Sequence, residues 1–200
     1  LKFADPKVQA AFAMAAEILK NDKLIDVKSI ATTNFKDGGL GILDGSCFLH
    51  RQASFYQANW SAAKKDVKVA EDGDVFAFYL PGKTADVKPV LGGGEFVTAF
   101  RNAPEVQAFQ AYLTSPEWSN NKAKATPEGG WLSANTGLDV NNLTSPVDKL
   151  SAQLLTDKAA VFRFDGSDMM PSAVGAGTFW KGMTDWVSID KSSAQVAAEI

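Results

Sequence analysis

Asp165, Ser167 and Asp168 crowd two carboxylates and a hydroxyl into four residues, directly after the apolar stretch 161–164 and ahead of Met169-Met170-Pro171. An ionised carboxylate accepts from two neighbouring O–H groups, and a serine between acids donates or accepts, so the set suits the adjacent hydroxyls of a sugar. Short acids beside a glycine have a plainer use, capping backbone N–H groups in a turn. Further along, Trp180 sits in Gly177-Thr178-Phe179-Trp180-Lys181-Gly182-Met183. An indole offers a flat apolar face to the C–H side of a pyranose ring and a polar N–H at its rim. Packing supplies the commoner role here too, with Phe179, Trp180 and Met183 as one face of a helix.

His50 and Arg51 follow the apolar run Cys47-Phe48-Leu49. At a strand end they bring several donors to the side of an α/β sheet where ligands bind; a hydrogen-bonded structural histidine accounts for the first of them equally well. Gly92-Gly93-Gly94 lacks the spacing of a phosphate-binding fingerprint, so Gly93 and Gly94 read as bare backbone where two segments or a ligand come close. Trp131, after Gly129-Gly130, is a further aromatic in a loop, with cover over apolar surface as its plainer role.

Other chemistries find little support. The chain has one histidine and one cysteine, which removes multi-histidine metal sites, zinc-type Cys/His spacing and any disulfide within the chain. Cys47 itself reads as a small buried hydrophobe in a strand. No Gly-x-Ser-x-Gly elbow is present for a serine nucleophile. Neither a metal nor a cofactor is expected, and no residue is assigned a catalytic role. A glycoside hydrolase is the alternative, with Asp165 and Asp168 as acid and base about 5 to 9 Å apart, but acids so close in sequence around a glycine tend to share one turn. A purely structural or interaction domain is a third reading.

The elements that must hold these residues follow from composition and periodicity. With 200 residues, 46% of them hydrophobic and 22% charged, the chain can build one sizeable core. Its net charge is -3 and its lysines are scattered, so no surface is prepared for nucleic acid. No apolar stretch approaches the roughly 20 residues that cross a bilayer, so no transmembrane segment is expected. Asp5-Pro6, Ser115-Pro116 and Ser145-Pro146 each pair a capping side chain with proline at the first helical position. After the first, Val8, Phe12, Ala15, Ile18 and Leu19 recur at helical spacing. Helices are also predicted over 34–43, 52–60, 102–113, 116–125, 146–158, 178–187 and 192–200. Strands are predicted over 47–50, 75–80 and 161–164, with an extended stretch over 90–100. The alternation gives an α/β class, and the loop over 126–145 is the expected place for a change of lobe.

Taken in order, these segments resemble the extracellular solute-binding proteins of carbohydrate ABC importers, most closely the α-glucoside-binding members. The residues that carry the resemblance are the Asp5-Pro6 helix, Cys47-Phe48-Leu49-His50-Arg51-Gln52-Ala53-Ser54-Phe55 and Pro89-Val90-Leu91-Gly92-Gly93-Gly94. They continue with Pro104-Glu105-Val106-Gln107-Ala108-Phe109, Tyr112-Leu113-Thr114-Ser115-Pro116-Glu117, Gly129-Gly130-Trp131-Leu132-Ser133-Ala134-Asn135 and 164–183. The resemblance implies a two-lobed, type II periplasmic-binding-protein-like fold with a sugar between the lobes. Residues 1–91 and 135–200 would then be C-terminal-lobe segments, and 92–134 would cross to the first lobe, most of which would precede residue 1.

By the same resemblance, His50 and Arg51 line the pocket, Trp180 stacks on a sugar ring, and Asp165, Ser167 and Asp168 bind hydroxyls. Gly93 and Gly94 fall at one crossing between lobes, and Trp131 near a second. The implied partners are an oligosaccharide or α-glucoside and the permease subunits of an ABC importer. The implied location is periplasmic or extracellular, with any membrane anchor ahead of residue 1.

Overall fold

A computed structural model describes residues 2–84, 86–189 and 191–200. In chain order its regular elements are α1 (Pro6–Leu19), α2 (Gln57–Ala63), β1 (Lys88–Gly92), α3 (Pro104–Leu113), α4 (Pro116–Ala125), α5 (Pro146–Thr156), β2 (Ala160–Phe164), α6 (Trp180–Ser188) and α7 (Ser193–Glu199). The chain divides into two compact units, Leu1–Asn34 with Asp165–Ile200, and Phe35–Phe164.

In the first unit α1, α6 and α7 share a small core. Phe12, Trp186 and Val196 are buried, and Phe3, Val8, Leu19, Met183 and Val187 pack around them. Phe12 meets the Trp186 ring edge-on, with centroids 5.1 Å apart. The indole N–H of Trp186 donates to Ser193 Oγ at 3.2 Å, so the one polar atom of that ring is satisfied. Ser192 and Gln195 form a reciprocal capping box at the start of α7. The spacing of α1 therefore locates its core face, except at Ile18, which is 56% exposed.

The second unit holds β1 and β2, which pair in parallel from Lys88 opposite Ala160 to Gly92 opposite Phe164. Helices α3, α4 and α5 lie in the connection between them, as parallel strands require. Lys88 Nζ reaches Asp157 Oδ2 at 2.8 Å. Two further clusters complete the unit. One is Tyr56, Trp60 and Val75 with Leu40, Ile42 and Val69. The other is Ala123, Leu143 and Ala152 with Trp131, Leu132 and Leu138.

All three cap-proline starts form helices. Asp5 accepts from Lys7 N at 2.8 Å, Ser115 Oγ from Trp118 N at 3.1 Å, and Ser145 Oγ from Val147 N at 3.2 Å. Helix and strand expectations fail where glycines or isolated apolar runs carried them. Residues 34–43 contain only the short 3-10 turn Leu40–Ile42, because their glycines favour turns over a continuous helix. The expected strand at 47–50 is irregular, with Cys47 half-buried, Phe48 91% exposed and Leu49 76% exposed. Apolar residues there have no partner strand among the described residues to form a ladder. Of 75–80 only Val75 pairs, in an isolated bridge with Val69. The extended stretch after Val90 stays in a strand only to Gly92. Ahead of α6, Ala173–Phe179 winds as a π-helical segment that the sequence pattern does not announce.

Candidate functional site

In the first unit the chain turns at Asp165 into a 3-10 turn, Gly166–Met169. Asp165 Oδ1 accepts from Ser167 N at 2.9 Å and from Ser167 Oγ at 2.7 Å. The acid and the hydroxyl are thus brought together and held in place by each other, which is the turn-making role those residue types favour. Both bonds fall on a single carboxylate oxygen. Asp168, inside the same turn, is exposed.

Trp180 opens α6 immediately after the π-helical segment. The packed face of that helix is Met183, Trp186 and Val187, and Phe179 pairs with Phe3 at 5.6 Å between centroids. Trp180 takes no part in that core and stands 68% exposed. A residue type that is usually buried is here left with its ring in solvent.

In the second unit His50 lies against Tyr56, with ring centroids 4.7 Å apart. Gly39 makes that contact possible, since a Cβ there would come within 2.6 Å of both rings. Tyr56 Oη accepts from Gly39 N at 2.8 Å and donates to Lys36 O, while Trp60 Nε1 donates to Gly39 O at 2.9 Å. His50 Nε2 is buried and has no hydrogen-bond partner among the described residues. Burial pulls the His50 pKa below the ordinary histidine value, which favours the neutral ring. Arg51 beside it is exposed.

Gly92 ends β1 beneath an aromatic ring, where a Cβ would sit 2.4 Å from Phe162 Cε2, so here bare backbone permits two segments to approach. A Cβ on Gly94, by contrast, would meet nothing within 4 Å. Gly93 lies just past the carboxyl end of β1 and is exposed.

Trp131 is half-buried and packs on the cluster of Ala123, Leu143 and Ala152. The two glycines before it have φ of 76° and 91°, a left-handed region that side-chain-bearing residues rarely adopt. This turn is held by a buried polar network that sequence reasoning missed. Asp148 is 2% exposed and accepts from Gly130 N at 3.0 Å and Gln57 Nε2 at 2.6 Å. Ser145 Oγ donates to Gln57 Oε1 while also capping α5. Burial raises the Asp148 pKa, and the Gly130 and Gln57 donors work against that rise. Glutamine, serine and aspartate in helix starts look like surface residues in a sequence, so the only available signal was the Ser145-Pro146 cap three residues before Asp148.

Among the described residues no group of three or more His, Cys, Asp or Glu is placed to hold a metal ion. No helix among them is long and apolar enough to cross a membrane.

Relatives among known proteins narrow the reading. The chain is 35% identical to the alpha-glucosides-binding periplasmic protein AglE of Rhizobium meliloti, over 100% of its own length and 43% of that protein. It is also 35% identical to the osmoprotective compounds-binding protein GgtB of Synechocystis, over 94% of its length and 43% of that protein. The chain thus spans less than half the length of the curated relatives it matches. No family profile matches it. No solved structure matches it either.

Proposed function

We propose that this chain, a homologue of periplasmic solute-binding proteins along its whole length, is part of the receptor of an ABC importer that captures an α-glucoside or similar oligosaccharide. The observation that carries the reading is Trp180. A large indole left 68% exposed on an otherwise packed helix has the form of a stacking platform for the apolar face of a sugar ring. Asp165, Ser167 and Asp168 would take hydroxyls, with Asp165 already oriented by Ser167 and able to accept through its second oxygen. His50, Arg51, Gly93, Gly94 and Trp131 are the further pocket residues of this reading. Parallel β1 and β2 end side by side at Gly92 and Phe164, and ligands of α/β proteins gather outside such carboxyl ends.

In the whole protein, on this reading, 92–134 crosses to a first lobe, while 1–91 and 135–200 belong to the second. Sugar would favour a closed arrangement of the two lobes because only then do both contact it. A 100-fold preference for closure requires about 2.7 kcal/mol of differential contact, the scale of a few hydrogen bonds and one ring stack. Permease subunits would read the closed form at the outer face of the membrane.

Hydrolysis by Asp165 and Asp168 is the weaker reading, since Asp165 is engaged in a turn and both relatives are named as binding proteins. The second relative's name favours one variant of the main reading, an osmoprotective compound as ligand. The test is titration calorimetry of the full-length protein with Trp180→Ala as comparison. Loss of the stack should weaken sugar binding about 10-fold or more. Equal affinity in the two proteins would refute Trp180 as the platform.

A further inference from the structure

We infer that Asp148 is a positioning residue, whose carboxylate fixes the Gly129-Gly130-Trp131 turn against residues 55–58 and so sets the indole of Trp131. No salt bridge reaches this buried side chain among the described residues, and its compensation comes from two amide donors, Gly130 N at 3.0 Å and Gln57 Nε2 at 2.6 Å. A buried carboxylate without those donors is strongly unfavourable. Their placement is therefore not free, and one of the two, Gly130 N, belongs to the turn that carries Trp131.

The second donor ties the turn to a distant segment. Gln57 begins α2, a few residues after His50 and Arg51, and its Nε2 also donates to Ser54 O at 3.0 Å. A Cβ on Gly130 would lie 3.1 Å from Phe55 O and 3.2 Å from Ala58 Cβ, so the turn rests directly on this segment. Asn in place of Asp148 would keep one acceptor oxygen and point an NH2 group at a donor. One hydrogen bond then becomes a donor-donor clash, in a site with no water-facing alternative. Asp148 thereby registers the segment after His50 and Arg51 against Trp131 within one unit. Its consequence for ligand affinity rests on the receptor reading above; the positioning itself does not.

The test uses the full-length protein labelled with 5-fluorotryptophan, with the Trp131 resonance assigned by Trp131→Phe. Asp148→Asn should move the fluorine resonance of Trp131 and leave those of the other tryptophans in place. Gln57→Met, which removes one donor and keeps the acid, should move the same resonance and covers the case in which Asp148→Asn fails to fold. An unmoved Trp131 resonance overturns the inference. In calorimetry with an α-glucoside, Asp148→Asn should weaken binding about 10-fold, and that loss should vanish in a Trp131→Ala background. Additive losses would overturn the link between Asp148 and the ligand. Absence of any sugar binding by the unaltered protein would sink the receptor reading, while the resonance still decides the positioning.

Discussion

Asp148 and Trp180 both sit in surroundings that their chemistry does not prefer. One is a carboxylate taken out of water, the other an indole left in it. The first makes a prediction about pH. Because burial raises the Asp148 pKa, the native state binds a proton before the unfolded state does as the pH falls. The contribution of this group to stability therefore grows as pH drops through the raised value and declines as pH rises. Thermal unfolding of Asp148→Asn beside the unaltered protein should show wild type gaining relative stability on acidification. A difference that stays flat between neutral and acid pH would contradict the assignment. At this scale the sequence was informative about residue types and silent about pairing. Trp180, Asp165 and Ser167 stood out by type, and the Asp165–Ser167 contact follows from turn chemistry. The bond from Gln57 to Asp148 spans 91 positions, and nothing local marks it.

At the scale of elements, helix starts were the most legible features because a cap and a proline act on the few backbone groups beside them. Ser145 is a cap with a second duty, since it also donates to Gln57. Ser145→Ala should therefore cost about 1–2 kcal/mol in urea unfolding, more than a cap alone in an exposed helix. Ser192→Ala, which removes the exposed capping box of α7, should cost about 1 kcal/mol. Equal small losses would show that the link to Gln57 adds nothing. Strands were poorly legible, for a related reason. Cys47-Phe48-Leu49 has the composition of a strand, but a strand is fixed by its partner, and β1 and β2 find each other across three helices. The π-helical segment before Trp180 likewise carries no local signal, since its small residues and glycines fit many backbone paths.

For the whole molecule, a mixture of helix and strand was legible from the alternation of patterns, while the thinness of the core was not. Phe48, Phe96 and Phe100 are 91%, 77% and 98% exposed, far from the usual place of phenylalanine. Apolar surface on this scale is a mark of interaction or of cover supplied by further chain, and the relatives are more than twice as long as the stretch they share with this protein. On the receptor reading, the 200-residue chain alone should bind an environment-sensitive apolar dye strongly and a protein that also carries a first lobe should not; equal binding would contradict cover by such a lobe. Small-angle scattering of the full-length protein should show compaction at saturating sugar, and an unchanged radius of gyration would rule out closure as the response.

Non-reactive capture is tested most directly by titrating trehalose, sucrose, maltose and related glucosides into the full-length protein in a calorimeter and recovering the sugar afterwards. At least one of them should give saturable heat and come back intact. Liberated monosaccharide, or no binding by any of them, would contradict a sugar receptor.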